Sequence, residues 1–244
     1  MKNNADEKYI LNFGGGLNST ALLVFLVDRN YPLDGVVFAD TGGEIPETYE
    51  HLRVIDSYLN KHNIPFKVVR SENETLYDYC MRRKAIPSRV RPWTIRDYKI
   101  APIFIYYRSL NAHVNQYLGI AYEERYRVRD SGVQYVTNLF PLVDNKLQRP
   151  DCIDVIMLAD TDLPMPTRTG CFFCPFNSIS RWKEILEHHK ELYSQARSLE
   201  ENSMDFPRRK LTKLTLRTLQ EKIEKNELLR DTNTKRLCSS ECLI

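Results

Sequence analysis

Tyr9-Ile10-Leu11-Asn12-Phe13-Gly14-Gly15-Gly16-Leu17-Asn18-Ser19-Thr20 decides the fold. An apolar run of strand length meets three glycines, and a compact apolar segment from Ser19 to Asp28 follows with the length of a helix. Three missing side chains let an anion approach backbone N–H groups, and Ser19 and Thr20 add hydroxyls at the positive end of the coming helix. The stretch therefore reads as a phosphate or pyrophosphate loop, or as a tight turn that needs glycine for a positive φ. It is not a Walker A loop, because no Gly-Lys-Ser/Thr ends it. It is not G-x-G-x-x-G, because Ser19 occupies the third glycine's place.

Outward from this loop, strands and helices alternate. Gly35 to Asp40 is a buried strand, and Pro46 opens a helix carrying Tyr49, Leu52, Ile55, Tyr58 and Leu59 at helical spacing. Phe66 to Arg70 is a third strand; a basic stretch follows, then a helix from Ile95 to Arg108 and a fourth strand from Gln116 to Ala121. Such alternation predicts an α/β fold with an open, mostly parallel, doubly wound sheet. Ligands of such sheets bind beyond the carboxyl ends of the strands, where this sequence places glycines and acids. After Phe140 prolines punctuate short segments, Ser178 reads as the N-cap of a helix reaching about Glu200, and a basic helical tail follows Pro207. The expected organisation is an α/β nucleotide domain over 1–140, a cysteine-bearing region over 141–206 packed on it, and a tail over 207–244.

The composition is that of a soluble globular chain: 244 residues, 42% hydrophobic and 27% charged. Its longest apolar run, Ala21 to Val27, is far short of the ~20 residues a bilayer span needs. The polar, partly acidic first residues lack a signal core, so a cytoplasmic chain without membrane contact is expected. A net charge of +3 says little, but its distribution says more. Pro207 to Arg236 carries ten Lys/Arg against four Asp/Glu, and Arg82 to Lys99 carries seven against one. These runs are either solvated helix faces or contacts for an anionic partner. The adjacent His188 and His189 face different directions on a helix and read as surface residues rather than a ligand pair.

Gly14 to Ser19 resembles the pyrophosphate loop of the N-type ATP pyrophosphatases, the PP-loop superfamily. Phe38-Ala39-Asp40-Thr41-Gly42-Gly43-Glu44 to Thr48 resembles the second-strand signature of that superfamily's phosphoadenosine phosphosulfate (PAPS) reductase branch. Leu118-Gly119-Ile120 with Glu123, Glu124 and Arg127 resembles its later strand and acidic-arginine segment, and Thr169 to Phe176 its cysteine motif. Gly14 stands in the place of a serine, Leu17 of a frequent lysine and Asn18 of an aspartate; Trp93 stands where many relatives have a cysteine.

The resemblance implies that Gly14, Gly15, Gly16, Leu17, Asn18 and Ser19 hold the phosphates of ATP or a related adenosine nucleotide. Asp40 and Thr41 would face the nucleoside, and Gly119 is a further cofactor-binding candidate. Ser19, Asp40 and Arg127 are the candidate catalytic residues, and Glu44 a candidate Mg²⁺ contact. Arg125, Arg89, Arg91, Arg96 and Lys99 are further cations for phosphate or sulfate.

Cys171 and Cys174 at C-x-x-C spacing suit one metal ion, a cluster or a redox pair. Cys152 is the third ligand that the resemblance suggests, with Cys80, Cys238 or Cys242 for a fourth, or an iron left open. A 4Fe–4S cluster and Zn²⁺ both satisfy such a set. The implied chemistry is adenylation of a substrate followed by sulfur transfer. Its acceptor would be tRNA or DNA held by the basic segments, and its sulfur would come from a donor protein. Two alternatives stand beside it. One is a thiol-dependent reductase of PAPS or adenosine phosphosulfate, with Cys242 as the thiol. The other is a nucleotide-binding regulatory protein without turnover.

Overall fold

A computed structural model describes residues 7–72, 74–87, 96–159, 163–166 and 170–227. Its centre is a five-stranded sheet, entirely parallel. The strands are β1 (Glu7–Asn12), β2 (Gly35–Asp40), β3 (Phe66–Arg70), β4 (His113–Leu118) and β5 (Val136–Leu139), in the order β3-β2-β1-β4-β5. From β1 the chain winds outward through β2 to β3, then recrosses the sheet to β4 and β5. The doubly wound expectation is met.

Right-handed crossovers put α1 (Leu17–Asp28) and α2 (Pro46–Lys61) on one face and α4 (Ala101–Ser109) on the other. The side chains agree. Leu11, Phe13, Val36 and Phe38 pack with α1 and α2, whereas Ile10, Val37, Ala39 and Val69 pack with Ile103 and Tyr107 of α4. Residues Asn18 to Leu26 of α1 are all buried, because α6 (Arg149–Leu158) covers the side of α1 that the sheet does not. That is why α1 is apolar all round instead of striped.

A second apolar cluster joins Ile45, α3 (Leu76–Arg83) and Tyr98 to Phe172 and Phe173, and continues into α7 (Ile179–His188), α8 (Lys190–Asn202) and α9 (Leu216–Glu224). A one-turn α5 (Pro141–Asp144) links β5 towards α6. Among the described residues no helix is long and apolar enough to cross a membrane.

The departures from expectation have physical reasons. β4 begins at His113, three residues early, because polar side chains inside it are satisfied: Gln116 accepts from the Tyr107 hydroxyl (3.1 Å) and donates to Asn138. Helix α3 falls in a stretch read only as basic; Thr75 caps it, its Oγ1 accepting from the Asp78 N–H at 3.1 Å. The helix expected from Ile95 is a π-helical turn, Arg96–Ile100, running into α4. The helix expected over 178–200 breaks at His189, whose backbone (φ −135°, ψ 57°) turns its ring towards Glu47, 2.7 Å away. His189 is thus an anchor between α2 and the C-terminal helices, while His188 is exposed. Ser178 does cap α7, accepting from the Arg181 N–H at 3.1 Å. Trp93, Arg89, Arg91, Thr169, Leu228, Leu229, Cys238 and Cys242 lie outside the described residues.

Candidate functional site

The winding reverses between β1 and β4, so a crevice opens at their carboxyl ends, the usual ligand position in such sheets. Gly14 to Gly16 leave β1 at that point. Gly15 takes φ +79°, which an L side chain rarely adopts, and turns the chain into α1. Gly16 is the N-cap and brings no side chain to the first turn, which also contains no acid. The first turn thus lies at the positive end of a buried helix, the end that suits an anion. The Ser19 hydroxyl donates to the Gly16 carbonyl (3.0 Å) and braces the loop from inside.

From the other side of the crevice, β4 closes on the same turn. A Cβ on Gly119 would lie 2.9 Å from the Ser19 nitrogen, 3.0 Å from its Cα and 3.1 Å from the Asn18 carbonyl carbon. Only glycine permits this approach. Three residues later a 3₁₀ helix, Tyr122–Arg127, begins. Its Glu124 accepts from Asn18 Nδ2 (3.3 Å) through one oxygen and from Arg127 Nη1 (2.9 Å) through the other. Asn18, Gly119, Glu124 and Arg127, drawn from two distant parts of the sequence, thus meet at one loop. Arg127 is largely buried there, its charge balanced by Glu124.

The second loop leaves β2. Asp40 is 2% exposed, and protein groups engage both its oxygens. Oδ1 accepts from the Gly42 N–H (2.7 Å) and the Tyr49 hydroxyl (2.9 Å), and Oδ2 lies 2.6 Å from Arg70 Nη2. Burial, and then the Asp40 charge, push the Tyr49 hydroxyl well above the ordinary tyrosine range, so it stays a donor. Asp40 therefore shapes its loop. Thr41 next to it donates to Glu44 (3.3 Å), and its Oγ1 lies 3.3 Å from Cys171 Sγ. Glu44 is buried, 3.8 Å from Lys99 Nζ and 3.7 Å from Cys171 Sγ. An antiparallel bridge between Glu44 and Cys171, with the Phe172 N–H donating to the Gly43 carbonyl (2.9 Å), lays the cysteine loop on this strand end.

Cys171 and Cys174 form one turn, the Cys174 N–H donating to the Cys171 carbonyl at 3.0 Å. Cys152 sits elsewhere: it is fully buried in the cluster of α1 and α6, whereas Cys171 packs against the second cluster. Among the described residues no three His, Cys, Asp or Glu side chains come together as a metal site. Among the described residues Cys152, Cys171 and Cys174 are thus not gathered as a three-cysteine cluster or zinc site, and Cys171 lies beside the Thr41 loop. Of the other cations, Arg96 pairs with Asp97 at the surface, and Arg125 stacks over the Tyr122 ring with 4.6 Å to its centroid.

Three residues at the site carry no sequence signal of their own. Tyr49 and Arg70 hold Asp40. His51, 6% exposed and kept neutral by burial, lies 3.3 Å from the Thr20 hydroxyl behind the first turn of α1. Tyr49 and His51 belong to one helix and Arg70 to the strand beside Asp40, so only the fold brings them together.

No protein-family model matches the chain, and no curated protein does either. Among solved structures it is similar to phosphoadenylyl-sulfate (PAPS) reductase from Candida auris in a phosphate complex, at 12% identity and a TM-score of 0.45, over 62% of this chain and 72% of that one. It is also similar to the U34-tRNA thiolase NcsA from Methanococcus maripaludis with its 4Fe–4S cluster, at 14% identity and a TM-score of 0.43, over 99% of this chain and 81% of that one. Likeness at this level concerns the fold and does not reach reaction or ligands.

Proposed function

We propose that this chain is a PP-loop enzyme of the PAPS reductase-like type that binds ATP or a related adenosine nucleotide. The observation that carries the reading is the uncapped glycine turn at the β1–β4 crevice, closed by Gly119 and braced through Asn18, Glu124 and Arg127. In this reading the backbone of Gly14 to Asn18, with Ser19, holds the nucleotide phosphates, and Thr41 faces the nucleoside. ATP would arrive with Mg²⁺ as part of the substrate. An acceptor oxygen attacks the α-phosphorus, pyrophosphate leaves, and Arg127 offsets charge developing on phosphate. Asp40 acts by fixing the Thr41 loop. Sulfide-level sulfur from a donor protein would then displace AMP, which leaves carrying the former acceptor oxygen, with Cys171, beside the Thr41 loop, and Cys174 as the thiols that handle it. The basic segments make tRNA or DNA the acceptor of choice.

A thiol-dependent reduction of PAPS or adenosine phosphosulfate is the second reading, favoured by the same placement of Cys171 beside Thr41. The two differ in products. Pyrophosphate released from ATP in the presence of acceptor supports the first; sulfite released with a thiol donor and no ATP supports the second. Both require that adenosine nucleotides raise the melting temperature, by an amount equivalent to about 2.7 kcal/mol at a hundredfold excess over Kd. Gly119→Val should abolish that rise, and Arg127→Ala, which leaves the turn intact, should reduce it. Absence of any shift with ATP, AMP or PAPS on the folded wild type would overturn both.

A further inference from the structure

The sequence carries two basic runs far apart in the chain, and in their described parts the fold ties one to the other. The first closes α3: Arg82 and Arg83 stand in its last turn and Lys84 is its C-cap. The second lies on the connection from α8 to α9. The Met204 N–H donates to the Lys84 carbonyl at 2.9 Å, and Asn202 Nδ2 to the Met81 carbonyl at 3.0 Å, so this connection starts against the end of α3. Arg208, Arg209, Lys210 and Lys213 follow along it, all exposed, while Leu211 among them is buried in the same apolar cluster as Leu76 and Cys80 of α3.

The charges on this surface do not cancel. Glu74 pairs with Arg82, Asp205 with Arg209 (3.1 Å) and Glu201 with Arg217 (3.0 Å). Lys210 donates to the Lys213 carbonyl at 3.4 Å, which holds those two ammonium stems together. Among the described residues Arg83, Lys84, Arg208 and Lys213 have no carboxylate partner. Like charges gathered in this way repel one another, and an anionic partner offsets the repulsion.

The surface is also placed with respect to the candidate site. At the start of α3 the Leu76 N–H donates to the Thr41 carbonyl at 2.9 Å. The eight residues of α3, at about 1.5 Å each, then set Arg83 and Lys84 about 12 Å from the Thr41 loop. A free nucleotide at the glycine turn does not reach cations there. A strand advancing about 3.4 Å per nucleotide covers the distance in roughly four steps, so a chain of phosphates is the anion that can occupy both places at once.

We propose that Arg83, Lys84, Arg208 and Lys213 form the surface that holds the phosphate backbone of a nucleic-acid acceptor while one of its nucleotides sits at the candidate site. The placement of that nucleotide rests on the PP-loop reading; the surface itself does not. Its contacts are contacts of charge, so they hold phosphates without reading sequence. Exposed Met204 and Phe206 lie on the same connection, which makes an anionic bilayer the competing occupant.

The test is fluorescence anisotropy of the full chain with a labelled mixed-sequence RNA oligonucleotide and a labelled DNA duplex across a salt series. Flotation with phosphatidylcholine–phosphatidylserine vesicles and thermal shift with ATP run beside it. Wild type should bind nucleic acid and leave the vesicles unbound. Two paired variants, Arg83→Ala with Lys84→Ala and Arg208→Ala with Lys213→Ala, should each weaken binding and flatten the slope of log K against log salt by about 1.5, the loss of two phosphate contacts. The control Arg53→Ala with Lys67→Ala, which removes two exposed cations of α2 and β3, should keep the wild-type slope. Melting temperature and ATP shift should be unchanged in all three, because every altered side chain is exposed. A wild-type slope in either paired variant, an equal loss in the control, or vesicle binding in place of nucleic acid would overturn the surface. If wild type binds no nucleic acid while ATP still stabilises it, the surface falls and the nucleotide reading stands. If ATP gives no shift while binding depends on both pairs, the surface stands and the nucleotide reading falls.

Discussion

Single residues decide how the second loop is held. Asp40 is a buried carboxylate whose oxygens serve the Gly42 N–H, the Tyr49 hydroxyl and Arg70. Removing it strands two donors, each costing about 1–3 kcal/mol when left without an acceptor. Asp40→Ala should therefore destabilise by roughly 2–4 kcal/mol in urea unfolding, and Tyr49→Phe by about 1 kcal/mol. A double-mutant cycle between the two should show non-additivity, since the second change has less left to break. Additive losses would mean that the hydroxyl is satisfied elsewhere. At this scale the sequence was partly legible. Gly15 stood out within the three-glycine loop, where positive φ favours glycine, whereas Gly119 came only through the family resemblance and its reason, backbone contact with Ser19, needs the fold. Tyr49, His51 and Arg70 did not: a tyrosine or a histidine on an amphipathic helix looks the same whether it packs or positions a site.

Elements carry the next level. β2 was readable because a buried parallel strand is a continuous apolar run, β1 and the mostly exposed edge strand β3 from their aromatic and β-branched residues, and α2 from its regular stripe. β4 was displaced because its polar residues are paired inside the protein, which composition cannot show. The C-terminal helices depend on one buried acid. Glu200 in α8 is 0% exposed and accepts from the Leu211 (2.8 Å) and Leu216 (2.7 Å) N–H groups, pinning the connection to α9. Burial pushes its carboxyl above the ordinary 4.5, only partly opposed by those two N–H groups. The folded state thus keeps this proton to higher pH than the unfolded chain does. Between the two values stability falls as pH rises, because the folded state binds more protons. Chemical denaturation from pH 4.5 upward should show this slope in wild type and a flatter one in Glu200→Gln. Glu200→Ala, leaving two buried N–H groups without acceptors, should cost on the order of 2–4 kcal/mol. An unchanged pH slope in the Gln variant would remove Glu200 from the explanation.

Across the described molecule, Cys152 falls in one core while Cys80 and Cys171 belong to the other, and no sequence spacing could have revealed that. Cys152 comes from a helix that folds back over α1, and Cys80 from a helix in the second cluster; both are fully buried. Burial pushes the Cys80 thiol up to about 12, leaving almost no thiolate at neutral pH. Cys171 and Cys174 are partly exposed, on the loop laid against Thr41 and Glu44. Alkylation of the native protein with iodoacetamide, read by peptide mass spectrometry, should thus label Cys171 and Cys174 well before Cys80 and Cys152, which should react only on unfolding. Saturating ATP should slow Cys171, because a nucleotide over Thr41 covers the approach to its sulfur. The informative failure is Cys152 reacting as fast as Cys171 in folded protein. That result would mean helix α6 lifts from α1 in the native ensemble, which is the motion needed before Cys152 could join Cys171 and Cys174 around one metal. Slow Cys152 labelling keeps it in the α1–α6 core while the Cys171–Cys174 turn stays open to reagent.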